Sequence, residues 1–139
     1  MKLFISSILL LACPPVLAGD INLELIGCTA GKDVRVALYA SPAGFSGVKE
    51  GKNALQTQVV KAEQNRVTLT FTDLPAGKYA VAAFVDSNGN QKLDSNFLGI
   101  PVEPYGFSRD ARNALKTPSF EDASFEVGNE NVVQVIHLK

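Results

Sequence analysis

The stretch Val67-Thr68-Leu69-Thr70-Phe71-Thr72-Asp73-Leu74-Pro75-Ala76-Gly77-Lys78-Tyr79-Ala80-Val81-Ala82-Ala83-Phe84-Val85 decides the fold. Val67, Leu69 and Phe71 alternate with Arg66, Thr68, Thr70 and Thr72, the period of a half-buried strand. From Lys78 to Val85 the chain is apolar on both faces, as a central strand covered on each side must be. Between the two runs, Pro75 pre-sets φ for the second position of a turn and Gly77 suits its end. Leu74 is placed to plug the edge of the core. Tyr79, at the start of the next strand, is placed to send its hydroxyl back to an upstream backbone group.

That arrangement is similar to the tyrosine corner of immunoglobulin-like sandwiches, in which the chain crosses between sheets. The alternative is an ordinary hairpin with an aromatic in the core. Working outward, Ile21, Leu23 and Leu25 alternate with Asn22 and Glu24, and Val34, Val36 and Leu38 with Arg35 and Ala37. Weaker strand candidates are Leu55 to Lys61, Ala123 to Val127 and Val132 to Leu138. No segment carries a helical stripe over three turns. Gly31-Lys32-Asp33 and Gly128-Asn129-Glu130-Asn131 read as hairpin connections. The expected fold is all-β: a two-sheet antiparallel β-sandwich of about seven strands, immunoglobulin-like or transthyretin-like, with one long loop after a central strand.

With 139 residues, 46% hydrophobic and 19% charged, the chain fits one domain with a core of useful size. A formal charge of −1 excludes the broad basic face of a nucleic-acid binder, and a single His restricts imidazole catalysis. Met1-Lys2, the apolar run Leu3 to Ala12, and Val16-Leu17-Ala18 have the layout of a secretory signal peptide. The expectation is a leader over 1–18, a single domain over 19–139, and a periplasmic or secreted location. The apolar run is too short to span a bilayer, and no later stretch approaches the required length. A second reading takes Leu10-Leu11-Ala12-Cys13 as a lipoprotein box, with Cys13 acylated as a lipid anchor. After cleavage only Cys28 remains, so no intramolecular disulfide forms. It reads as a small buried hydrophobe, the sharper alternative being a reactive thiol.

From Asp86 to about Pro118 the periodicity stops, and loops of that length are usually functional or ligand-stabilised. The segment opens Asp86-Ser87-Asn88-Gly89-Asn90-Gln91-Lys92-Leu93-Asp94. Oxygen side chains stand at relative positions 1, 3, 5 and 9, the spacing by which EF-hand and dockerin-type loops wrap Ca²⁺. The Lys92 carbonyl would be the backbone donor, and Leu93 would anchor the loop. Hard oxygen ligands suit Ca²⁺ and not zinc or copper. The pattern departs at the position normally held by Gly, here Gln91, and at that of the bidentate Glu, here Phe97. A missing carboxylate would come from Glu103, Glu121 or Asp122 if the loop folds back. The expected site is Asp86, Asn88, Asn90, Lys92, Asp94 and Glu103 around weakly held Ca²⁺; the alternative is a metal-free polar turn.

Pro101 and Pro104 keep the following stretch out of a helix. Phe97, Tyr105 and Phe107 either line a groove for a ligand or bury themselves to pin the loop. Arg109 to Asn113 reads as one helical turn with a solvated charged face. Three functions follow. The favoured one is a binding or structural module presenting the loop to a periplasmic or surface partner. A small-ligand carrier would use Phe97, Tyr105 and Phe107. An enzyme would need Gly44-Phe45-Ser46-Gly47 as a nucleophile elbow with His137 as base, or Glu103 with Asp94 as an acid–base pair. The elbow lacks its strand-to-helix setting, so the sequence points away from an enzyme.

Leu74-Pro75-Ala76-Gly77-Lys78-Tyr79, Asp86-Ser87-Asn88-Gly89-Asn90, Lys92-Leu93-Asp94-Ser95-Asn96, Gly99-Ile100-Pro101, Tyr105-Gly106-Phe107-Ser108 and Pro118-Ser119-Phe120-Glu121-Asp122-Ala123 together resemble a family of exported bacterial proteins, domain of unknown function 2141. Val34-Arg35-Val36-Ala37-Leu38-Tyr39 and Ser41-Pro42-Ala43-Gly44-Phe45 extend the likeness. The resemblance implies an exported β-sandwich with no established activity. In that family the Gln91 position is commonly Gly, and Ser-Asn usually stands at Ser108-Arg109.

Overall fold

A computed structural model describes residues 18–113 and 116–139. The leader reading and Cys13 therefore fall outside the described residues, apart from Ala18. Strand β1 (Ala18–Ile26) is flanked by β4 (Arg66–Pro75) and β8 (Val132–His137) in a three-stranded sheet ordered β4-β1-β8. The second sheet runs β3 (Gln56–Lys61), β2 (Asp33–Tyr39), β5 (Gly77–Asp86). The free side of β5 takes β6 (Tyr105–Phe107) along Ala82–Phe84 and β7 (Phe125–Val127) along Gly77–Tyr79. Single-turn helices α1 (Pro42–Phe45) and α2 (Phe120–Ala123) are capped by the hydroxyls of Ser41 and Ser119.

The alternating residues meet where the period places them. Ile21, Leu23 and Leu25 of β1 and Val67, Leu69 and Phe71 of β4 face Val34, Val36 and Leu38 of β2 and Val81, Ala83 and Val85 of β5 in one core. Cys28 belongs to it, and burial pushes its thiol pKa up against a smaller opposing effect of the Val67 backbone, as suits a packed hydrophobe. The outer face of β5 is covered too. Ala80 lies under a second cluster of Tyr39, Phe45, Phe107 and Phe120, whose rings meet edge-on at 5.4–6.0 Å from Phe45. A central strand buried on both sides is what the apolar run of β5 requires.

The corner is present. Tyr79 donates its hydroxyl to the Pro75 carbonyl at 2.6 Å, and Leu74 is 1% exposed. β4 and β5 belong to different sheets, which rules out the ordinary hairpin. Three expectations change. Gly31-Lys32-Asp33 and Gly128 to Asn131 are not hairpins, because β1 and β2, like β7 and β8, lie in different sheets. β8 runs parallel to β1, since strands so distant in sequence are free of hairpin geometry. The described residues hold eight strands, the addition being β6 inside the stretch read as loop. β6 also ties the sheets together: Tyr105 and Lys139 exchange both backbone hydrogen bonds at 3.1 Å. Gly106 permits this closeness, as a Cβ there would sit 2.8 Å from the His137 carbonyl.

Replacing Tyr79 by Phe keeps the ring and orphans the Pro75 carbonyl. The expected loss is about 1 kcal/mol, read as a lower urea midpoint at unchanged slope.

Candidate functional site

β2 and β5 pair from Tyr39↔Ala80 to Asp33↔Asp86, so β5 delivers Asp86 to one rim of the sandwich. The Asp86 carboxylate is enclosed, its side chain 0% exposed. Its Oδ2 accepts from the Arg35 guanidinium at 3.0 Å and from the Gln91 amide at 2.9 Å, and Oδ1 accepts from the Gly89 amide at 3.0 Å. Burial alone would raise the Asp86 pKa. The Arg35 hydrogen bond and charge, with the two backbone donors, outweigh it and hold the value below the usual carboxylate range.

Glu103 is the second buried acid, at 6% exposure. Its Oε2 accepts from the Ser87 amide at 2.6 Å and its Oε1 from the Asp94 amide at 2.8 Å, closing the loop as a bracket. The return arm is sealed where the Val85 amide donates to the Pro104 carbonyl at 2.9 Å. Within the bracket, the Asn88 and Asn90 amides both donate to the Asp94 carboxylate, at 2.5 and 2.7 Å. The Oδ1 atoms of Asn88 and Asn90 accept from the Asn90 and Lys92 amides respectively. The structure thus gathers Asp86, Asn88, Asn90, Asp94 and Glu103 into one loop, with Lys92 in it through its amide. Of the three carboxylates considered for completing the loop, Glu103 is the one that folds back; Glu121 and Asp122 sit exposed at α2. Among the described residues no group of three His, Cys, Asp or Glu side chains is spaced to hold a metal, so any cation here depends on the amides.

Phe97, Tyr105 and Phe107 do not share a groove. Phe107 is in the second core cluster, Tyr105 packs edge-on against it at 5.9 Å, and Phe97 is 94% exposed. Phe97 therefore neither pins the loop nor joins the other two. It crowns a short hairpin that sequence reasoning missed. Ser95 bridges Pro101, the Asn96 amide donates to the Ile100 carbonyl, and the Asn96 side chain accepts from the Leu98 and Ile100 amides. Gly99, at φ 78°, makes the reversal. Asn96 was the available signal, being an Asx residue followed by Gly three positions on.

Ser46 and His137, the nucleophile and base of the elbow reading, bond to different partners. The Ser46 hydroxyl donates to the Ala43 carbonyl at 2.6 Å, and the His137 ring meets Asp110 at 2.8 Å. Arg109 to Asn113 is in part the solvated turn expected: a single 3₁₀ turn spans Ser108–Asp110, broken by non-helical backbone at Arg109, and Arg109, Asp110 and Arg112 are exposed. Arg109 and Asp110 are both left-handed, Asp110 also accepts from the His137 amide, and Arg112 stacks 4.5 Å from the Tyr105 ring centre. The segment covers the outer edge of β8, which would otherwise offer free backbone donors. Burial opposes ionisation of Asp110, but the His137 amide and ring, with Lys139, lower its pKa.

A family model described as "Uncharacterized protein conserved in bacteria (DUF2141)" matches residues 26–135, a span that contains the whole rim loop. The chain belongs to the DUF2141 family. No curated protein and no solved structure matches it. Two long side chains of this DUF2141 member stand on left-handed backbone. Gln91 stands at φ 67° and Arg109 at φ 57°, where Gly and Asn are at ease and longer side chains are not.

Substituting Gln91→Gly or Arg109→Asn should each raise stability by about 0.5–1 kcal/mol in chemical denaturation. Asp86→Ala, which leaves Arg35 without its partner, should cost about 3 kcal/mol. Because the folded Asp86 and Asp110 pKa values are depressed, their stabilisation is complete above the ordinary carboxylate value of about 3.9. It is lost as pH falls through the folded values. Thermal melts across that acidic range should show the decline, and Asp86→Ala should flatten it.

Proposed function

We propose that this protein is an exported, non-enzymatic binding module that presents the Ser95–Val102 hairpin at its rim, with Ca²⁺ held in the acidic-amide loop beneath. The observation that carries this reading is Phe97, 94% exposed beside Leu98 at 68%, Ile100 at 56% and Val102 at 62%, on a backbone fastened by Asn96, Asp94 and Glu103. Isolated exposed apolar residues are ordinary on a protein surface; a fastened cluster of them is a mark of an interaction site.

Calcium is supported by the convergence of Asn88, Asn90 and Asp94. A half-turn of each amide, which gives up the bonds their oxygens accept from the Asn90 and Lys92 backbone, would offer a cation three hard donors, with the Lys92 carbonyl within the same loop. Asp86 and Glu103 serve as the frame, since both are buried, Asp86 is paired with Arg35, and their oxygens hold the amides that close the loop. With Asp86 offset by Arg35, the charge left for a cation is small, and affinity falls at about 10⁻⁴–10⁻³ M. The carrier reading loses support because its three aromatics do not converge.

Titration calorimetry with CaCl₂ should give a saturable heat, and millimolar Ca²⁺ should raise the melting temperature by a few degrees over chelator. Asp94→Asn should remove both effects and Asp110→Ala should leave both. No heat with the unaltered protein removes calcium from the reading.

A further inference from the structure

We infer that the free edge of β3 pairs antiparallel with the same strand of a second copy, about a two-fold axis at Val59. This goes beyond the rim and depends on neither the hairpin nor calcium. What the edge offers follows from its register. The Ala62 amide donates to the Lys32 carbonyl at 2.9 Å, and Val36 lies opposite Gln58. With a period of two, Gln56, Gln58 and Val60 bond to β2, while Thr57, Val59 and Lys61 turn their amides and carbonyls outward. Those three residues are exposed, Val59 at 51%. Beneath them Val60 packs on the main core, and the Gln58 side chain donates to the Thr70 carbonyl at 2.9 Å. The gap between the sheets is thereby sealed, and what stays open is backbone.

The other long edges are closed. The clasp of Arg109 and Asp110 lies on β8, and β6 and β7 take the free side of β5. On β4 the outward Thr70 carbonyl is held by Gln58, and Asp73 stands at φ 54° with its amide on the Asp20 carboxylate. Proteins guard such edges with charge, proline or cover. From Leu55 to Val60 there is no proline and no ionisable side chain, and nothing covers the strand among the described residues.

The edge is complementary to itself. Centring the pair on Val59 sets Val59 against Val59 and each Thr57 against the second copy's Lys61. Every outward amide and carbonyl of the three residues then finds a partner, and the two valines cover each other. Sliding either way strips partners from the edge, and sliding toward the rim brings the two Lys61 together. In the centred register they stand about 14 Å apart along the strands, more than a Debye length. A charged peptide finds no row of opposite charge here. One patch used by both partners is the rule for two-fold dimers. Pairing along one short strand covers less than the about 800 Å² per partner of a stable dimer, so association is reversible. Asp33 pairs with both Lys61 and Asp86, so the Lys61 end of β3 lies at the rim. Antiparallel pairing therefore points the two rims opposite ways, and the dimer is bivalent.

The test is sedimentation equilibrium of the whole protein from micromolar to millimolar concentration, in chelator and in Ca²⁺. A reversible dimer indifferent to the cation is expected. Val59→Lys and Thr57→Pro should each weaken association by about tenfold or more. Both should keep the wild-type melting temperature in dilute solution, since neither the Val59 side chain nor the Thr57 amide serves the monomer. Phe97→Asp should associate as the unaltered protein does. Val59→Cys should oxidise to a disulfide-linked dimer that the unaltered protein does not form. Thr57→Cys should not, because its own counterpart lies about 14 Å away. A monomer throughout, association that ignores both β3 substitutions, or association lost in Phe97→Asp overturns the edge pairing. Cross-linking through Thr57→Cys in place of Val59→Cys overturns the two-fold register.

Discussion

Removing a carboxylate from water costs several kcal/mol unless donors replace the lost hydration, and Asp86 is removed completely. The guanidinium of Arg35 and the amides of Gly89 and Gln91 supply those donors. This exchange fixes where β5 ends, how the chain leaves the sheet, and the tight left-handed turn at Gln91. Once that turn is set, Asn88 and Asn90 face Asp94, and Glu103 can bracket Ser87 and Asp94. The hairpin carrying Phe97 stands on that bracket.

The same strand links the rim to the rest of the molecule. β5 enters from the corner sealed by Tyr79 and Pro75 and passes between the main core and the aromatic cluster around Phe45. It reaches the rim with little freedom left. A loop is precise only when its supports are, and here both supports, Arg35 on β2 and Asp86 on β5, lie on paired strands of one sheet. Strain at Gln91 and Arg109 is sustained by the side-chain bonds of Asp86 and by the clasp of Asp110 on β8.

Much of this was legible in the residues. Strict alternation in β1, β2 and β4 gave both the strands and their core faces, because one side of each meets water. The corner was readable from Leu74, Pro75, Gly77 and Tyr79, each with a separate steric or hydrogen-bonding reason. Turn composition could not say which sheet the next strand joins, so Gly31-Lys32-Asp33 and Gly128 to Asn131 were read as hairpins. Tyr105-Gly106-Phe107 is too short to show a period. The spacing of Asp86, Asn88, Asn90 and Asp94 announced the loop, but Arg35 lies 51 residues from Asp86 and is brought to it only by strand pairing. Phe97 illustrates the remaining gap: an aromatic side chain in a loop says nothing of whether it faces the core or the solvent.

A rim preformed by its buried carboxylates underlies both the loop and the hairpin above it. Amide hydrogen exchange at neutral pH, resolved at Ser87, Gly89, Gln91 and Asp94, measures it most directly. Slow exchange at all four, in chelator as well as in Ca²⁺, is the expected result, since each amide donates to a buried carboxylate oxygen. Exchange at the rate of an open chain at these positions would contradict it.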